Sequence, residues 1–195
     1  MKKSYFLYLI VLLEGYIVLS TELIAIRQIV PYVGSGTITT SIVIAAVLLP
    51  LAVGYYWGGR FKPKINLFKR RTTVRKKLLF NILTSTIILT VGLSYVLVYD
   101  FFTITTSLFR GSAIIISGLY CLFFIIYPVF LLAQTIPLVL NYFDKDNISL
   151  ITGKMLFFST IGSLAGALFS TLFLMSTIGV NLTASVTIGL SLIHI

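Results

Sequence analysis

The chain has 195 residues, of which 58% are hydrophobic and 10% are charged, whereas an average soluble domain has roughly 25% charged residues. Its mean hydropathy of +1.06 leaves too little polar surface for a water-soluble fold and predicts a polytopic membrane protein. The net charge of +10 does not indicate nucleic-acid binding, because no aromatic stacking pattern accompanies the basic residues. We therefore expect no nucleic acid among its partners.

A membrane span needs about 20 mainly apolar residues. On that measure we predict one all-α domain over residues 1–195, a polytopic transmembrane helix bundle of about six spans. The fourth predicted span is too long for an upright crossing, since it would reach roughly 43 Å at 1.5 Å per residue. We expect a kink at Pro128 and expect Gln134 and Pro137 near the inner interface. The predicted spans are Tyr5–Val30, Ile38–Trp57, Leu78–Tyr99, Ser112–Leu140, Met155–Ser176 and a last one that begins near Val180.

Nine of the fifteen Lys and Arg residues lie between Arg60 and Lys77, in a segment without an acidic residue. The positive-inside rule predicts that residues 60–77 form a cytoplasmic loop, and Lys2 and Lys3 place the N-terminus on the same side. We expect a multi-pass protein of a cell membrane, of the bacterial cytoplasmic type. Each basic residue near a membrane surface contributes about 1 kcal/mol of favourable electrostatic free energy to binding anionic lipid. The residues predicted to contact anionic lipid are Lys69, Arg70, Arg71, Arg75, Lys76 and Lys77.

The fifth predicted span carries two adjacent rows of small residues at intervals of four. Small residues let helix backbones approach each other in a membrane, where lipid is as apolar as leucine. We favour packing within the chain, and a homodimer seam is the alternative. A weaker copy of the pattern, Gly54 and Gly58, ends the second span. The two rows are Ser159, Ser163, Ala167 and Thr171, and Gly162, Gly166 and Ser170.

Three charged residues lie in or near the first predicted span. Glu14 is near mid-depth, and Glu22 follows about 80° around an ideal helix, so both carboxylates point broadly to one side. Arg27 is about 140° from Glu22 and is poorly placed for an i,i+4 pair. Membrane-embedded charges cost a few kcal/mol each and indicate a polar site for a cation or a proton. The alternative is structural, with Glu22 and Arg27 fixing the outer end of the helix and Glu14 paired or protonated.

The sequence contains no pattern of a soluble enzyme site. It has no Ser/His/Asp set and no metal-ligand spacing, and Cys121 and His194 are each the single residue of their kind. Gly34-Ser35-Gly36 follows a membrane helix and not a strand, so it is not a phosphate-binding loop. We therefore predict no metal, no catalytic residue and no cofactor site in this chain.

Four stretches carry a pattern in their order and spacing: "TELIAIRQIVPYVGSG" (21–36), "LAVGYYWGGR" (51–60), "YPVFLLAQTIPLVLN" (127–141) and "GKMLFFSTIGSLAGALFSTLFLMSTIGVN" (153–181). Together they resemble the membrane domain of spermidine synthase-like proteins. The matching positions are Glu22, Arg27, Pro31, Gly34, Gly54, Gly59, Arg60, Pro137, Gly153, Gly162 and Gly166. Gln134 departs from the pattern, because it stands where a small residue is expected, and this argues against close packing there.

This resemblance implies membrane helices followed by a cytosolic aminopropyltransferase domain, which uses decarboxylated S-adenosylmethionine and a diamine. That soluble domain holds the family's Gly-rich nucleotide loop and catalytic Asp, so no catalytic residue carries over to this chain. We expect a fragment that anchors or couples the missing domain in polyamine metabolism. The family's membrane part also resembles major facilitator transporters. The alternative function is therefore half of such a transporter, moving a small cationic solute such as a polyamine, although "GYYWGGRFKPK" lacks the expected Asp.

Overall fold

The computed structural model describes residues 2–61, 67–143 and 147–192. Within these ranges the chain is helical and has no strand, which confirms the predicted all-α bundle. The helices are α1 Lys2–Val33, α2 Thr37–Arg60, α3 Leu67–Gly92, α4 Tyr95–Leu108, α5 Ala113–Leu140, α6 Ile148–Thr177 and α7 Gly179–Leu192. Of these, α1, α2, α5 and α6 are long and apolar enough to cross a membrane, and α3 with α4 adds a fifth span if the bent pair is counted as one.

Helix α1 lies at the centre of the bundle. Its most extensive contact is with α6, and it also contacts α2, α5 and α7. In the most apolar 18-residue stretch of α1, 67% is buried inside the bundle, whereas the corresponding share in α6 is 22%. The side chains of Ile17, Ile24 and Ile29 are completely buried. A helix that is apolar on all sides is stable in such a position, because neighbouring helices surround it.

The outer surface of the bundle is apolar. Large apolar side chains on α2, α5 and α6 are more than half exposed, among them Leu49, Phe123, Phe157, Leu172 and Phe173. A soluble monomer rarely exposes apolar patches larger than a few hundred Å². Together with the lengths of the helices, this surface indicates a multi-pass membrane protein.

The third predicted span, Leu78–Tyr99, is not a single helix. Helix α3 ends at Gly92, α4 begins at Tyr95, and the two are bent by 62°. The Thr-rich stretch after Asp100, beyond the predicted end of this span, belongs to α4. Hydropathy does not reveal the bend, because the residues on both sides of it are apolar. Gly92 marks the position, since glycine has a low helix propensity.

The basic segment is largely helical, which corrects the prediction of a loop over residues 60–77. Arg60 is the last residue of α2, and residues 67–77 belong to α3. Residues 62–66 lie outside the described part of the chain. Lys and Arg are good helix formers, so a basic segment at a membrane surface can continue a helix.

Two long helices contain π-helical segments, Cys121–Ile126 in α5 and Phe169–Leu174 in α6. Pro128 lies two residues after the first of these and offers no N–H to the carbonyl four residues earlier, which favours an irregular turn there. The kink expected at Pro128 stays a prediction. A second irregularity in α5 is at Gln134, between Tyr127–Ala133 and Thr135–Leu140. No proline lies near the π-helical segment of α6, and its sequence did not predict it.

Candidate functional site

Helices α1 and α6 pack backbone against backbone. A Cβ atom added to Gly162 would clash with the carbonyl oxygen of Leu12, and one added to Gly166 would clash with that of Tyr16. The contacts advance together along both helices, so α1 and α6 run parallel. We call this interface the α1–α6 seam.

The seam occupies the small-residue rows that we singled out in the sequence. Ser159, Gly162 and Gly166 are buried there, and Ser163 and Ala167 are half-buried. The face is thus covered by α1 of the same chain, which is the arrangement that we favoured over a homodimer seam.

Gly54 and Gly58 provide a second close approach, between α2 and α5. A Cβ atom at Gly54 would lie 2.5 Å from the Cβ of Ala133, and one at Gly58 would lie 2.6 Å from Cγ of Pro137. The Gly58 position would also be 3.1 Å from Cα of Gln134. The expectation that Gln134 prevents close packing is therefore wrong: its side chain turns aside to bond elsewhere, and its backbone still meets the glycine.

Glu14 lies in the α1–α6 seam and is 1% exposed. Its Oε2 accepts a hydrogen bond of 3.3 Å from the Ser159 hydroxyl. A Cβ atom on the adjacent Gly15 would clash with the Ser159 carbonyl oxygen, so the backbones close around the carboxyl group. Tyr55 of α2 lies within electrostatic range. In the described ranges no basic side chain forms an ion pair with Glu14.

Glu22 and Arg27 have different surroundings. Glu22 is half-buried and Arg27 is exposed. Among the described residues, no hydrogen bond or ion pair joins Glu14, Glu22 and Arg27 to one another. The structure thus does not assemble the three charged residues into one site, and Glu14 is the one enclosed by the bundle.

Further polar groups line the seam beyond Glu14, toward the C-terminal end of α1, at positions where the sequence predicted no polar site. The Ser20 and Ser170 hydroxyls lie 2.8 Å apart, and the Tyr16 hydroxyl lies 3.0 Å from that of Ser170. Ser20 also donates to the Gly166 carbonyl oxygen at 3.3 Å. Ser170 belongs to the π-helical segment of α6. In the sequence, this cluster is indicated only by Tyr16 and Ser20, two residues with hydroxyl groups within an apolar span.

A second polar cluster holds the bend between α3 and α4. The Tyr120 hydroxyl donates to the Gly92 carbonyl oxygen at 2.9 Å, and the Gln28 amide donates to that of Leu93 at 2.9 Å. Tyr120 and Gln28 also contact each other, at 3.4 Å. These side chains satisfy carbonyl groups that a broken membrane helix would otherwise leave unpaired. In the sequence, the signal for Gln28 was an amide side chain next to Arg27 in an otherwise apolar span.

Other buried amides and hydroxyls connect the remaining helices. Asn81 of α3 donates to Oε1 of Gln134 at 3.2 Å, which joins α3 to the break in α5. The hydroxyls of Thr86 in α3 and Ser191 in α7 lie 2.6 Å apart. Such bonds compensate buried polar groups and fix the register between helices.

Aromatic and basic side chains meet at the end of α2. The Arg60 guanidinium lies 4.5 Å from the ring centre of Tyr56 and 5.9 Å from that of Trp57, and Lys77 Nζ lies 4.2 Å from that of Phe61. Exposed Tyr and Trp near basic residues are typical of a membrane interface. Of the predicted lipid-contacting residues, Arg75 and Lys76 are exposed on α3, and the side chains of Lys69, Arg70 and Arg71 lie outside the described part.

Within the part of the chain that the structure describes, no group of three or more His, Cys, Asp or Glu residues could hold a metal ion. Cys121 is buried and free, and His194 lies outside the described residues. Comparisons with protein-family models, with curated proteins and with solved structures found no match to this chain.

Proposed function

We propose that the chain crosses the membrane five times, with its N-terminus inside, and begins a sixth crossing with α7. Successive crossings alternate in direction. Because α1 and α6 run parallel, an odd number of crossings must separate them. Helices α2 and α5 account for two of these crossings. Because the number has to be odd, the bent pair α3–α4 accounts for the third. The basic residues at the start of α3 then lie in the cytoplasm.

Contacts between other helices agree with this path. Gly54 meets Ala133 and Gly58 meets Pro137, so α2 and α5 also run parallel, as the second and fourth crossings should. Helix α7 has 14 described residues, about 21 Å of helix, which is less than the roughly 30 Å of an apolar bilayer core.

We further propose that this bundle is the membrane domain of a spermidine synthase-like protein, anchoring or coupling a cytosolic aminopropyltransferase domain. The ordered motifs of the sequence suggest the family, and the structural observation in favour is the α1–α6 seam. Two backbones in contact over several turns, with no room for a Cβ atom at Gly15, Gly162 or Gly166, make a suitable scaffold. A second copy of the chain, if it binds, would use a surface other than this seam.

Binding in trans tests the anchoring role. Proteoliposomes carrying the purified chain would be mixed with a separately expressed aminopropyltransferase domain from a spermidine synthase-like membrane protein. The domain should sediment with these proteoliposomes more than with protein-free liposomes of the same anionic lipid content. Equal sedimentation with both would contradict a specific anchoring role and would leave only attraction to lipid.

Half of a major facilitator-like transporter is the second candidate, and Glu14 is the observation that favours it. A buried carboxyl group within a membrane bundle marks an ion or substrate pathway more often than not. Vesicles loaded with labelled spermidine would compare the parent protein with Glu14→Gln. The anchoring proposal expects equal leakage from both. Efflux in the parent that disappears in Glu14→Gln would favour the transporter.

A further inference from the structure

Glu14 is enclosed in a way that restricts what it can bind. Among the described residues, the carboxyl group has one polar neighbour at hydrogen-bond distance, the neutral hydroxyl of Ser159 at 3.3 Å. Both neighbouring backbones are in contact: a Cβ atom at Gly15 would clash with the Ser159 carbonyl oxygen, and the Ser163 hydroxyl donates to the Gly15 carbonyl oxygen at 3.2 Å. The carboxyl group is therefore enclosed where the backbones of α1 and α6 meet, and it is 1% exposed.

Within the described part of the chain, none of the charged or titratable groups around Glu14 neutralises it. On α6 the packed residues Ser159 and Ser163 do not ionise, and Lys154, the charged residue of that helix, is exposed. On α2 the group within electrostatic range is the Tyr55 phenol, whose ionisation would add a second negative charge. An ionised carboxylate buried without a counter-charge costs several kcal/mol, far more than a neutral acid.

We propose that Glu14 is a proton-binding site that locks the α1–α6 seam. The protonated carboxyl group fits between the two helices. When its proton passes to water, the remaining charge has to be hydrated, and the helices separate to admit water. This inference does not depend on the aminopropyltransferase proposal, since it uses contacts within the bundle alone.

Infrared spectroscopy of the chain in lipid tests the protonation state directly. At neutral pH the parent should show the carbonyl stretch of a protonated carboxylic acid, and Glu14→Gln should lack that band. Glu22→Gln is the matched control and should keep it. Absence of the band in the parent at neutral pH would overturn the proposal. Loss of the band on addition of Na⁺ at constant pH would overturn it too, because the ligand would then be a metal cation.

Thiol labelling tests the opening of the seam. Ser20, which is completely buried in the seam, would be changed to Cys in a Cys121→Ser background. A water-soluble thiol reagent should label this Cys slowly at neutral pH and much faster at the alkaline pH where the infrared band disappears. The same variant with Glu14→Gln should remain poorly labelled at both values, which corrects for thiolate reactivity. Equal alkaline acceleration with and without Glu14→Gln would contradict the lock.

Discussion

Gly162 of α6 lies against the carbonyl oxygen of Leu12 in α1, so closely that no Cβ atom fits between them. Gly153 lies in the same helix with no neighbouring atom within 4 Å of its Cβ position. The two glycines therefore give a matched pair, one in the seam and one in open space.

We predict that Gly162→Ala destabilises the bundle by about 1–3 kcal/mol, because the added methyl group forces two backbones apart. Gly153→Ala should leave the stability unchanged or raise it slightly, since alanine has the higher helix propensity. Thermal unfolding of both variants in detergent measures the difference. Equal melting temperatures for the two variants would mean that α1 and α6 are not in backbone contact.

The bend between α3 and α4 gives a second prediction. Tyr120→Phe removes the hydroxyl that donates to the Gly92 carbonyl oxygen, and the buried carbonyl then lacks this donor, at a cost of about 1–3 kcal/mol. Tyr127→Phe is the control on the same helix, because that side chain is 46% exposed. Tyr120→Phe should lower the melting temperature in detergent and Tyr127→Phe should not. If both melt like the parent, the Tyr120 hydroxyl does not hold the bend.

The chain alone should have no aminopropyltransferase activity. The described residues form membrane-type helices, and the connections between them are too short to form a nucleotide-binding domain. Purified protein incubated with putrescine and decarboxylated S-adenosylmethionine should yield no spermidine. Product above that of a vesicle blank would contradict this expectation.

The all-α fold and the position of the long spans were predictable because each depends on composition averaged over about 20 residues. The small residues that α6 uses against α1 were also visible, at Gly162 and Gly166, since close packing requires them. The sequence did not predict the bend at Gly92 or the hydrogen-bond partners of Gln28 and Tyr120. These features depend on which helices are neighbours, and hydropathy along the chain does not carry that information.

The sequence places Glu14 near mid-depth of the first span, but its surroundings could not be derived from the sequence. Helical spacing placed Glu14 and Glu22 broadly on one side of α1. The structure gives them different burial, because α6 covers the first completely while the second stays half-exposed. The spacing of two residues on one helix gives only the directions of their side chains. The burial of each side chain depends on the neighbouring helix that packs against it.

The proposed path of the chain depends on whether the bent pair α3–α4 crosses the membrane once, and labelling from both sides tests this directly. Lys76 on α3 and Ser107 on α4 are both exposed, and each would be changed to Cys in a Cys121→Ser background. A membrane-impermeant thiol reagent should reach position 107 from the outside and position 76 only from the cytoplasmic side. Labelling of both positions from the same side would contradict the five-crossing path and the parallel pairing of α1 with α6.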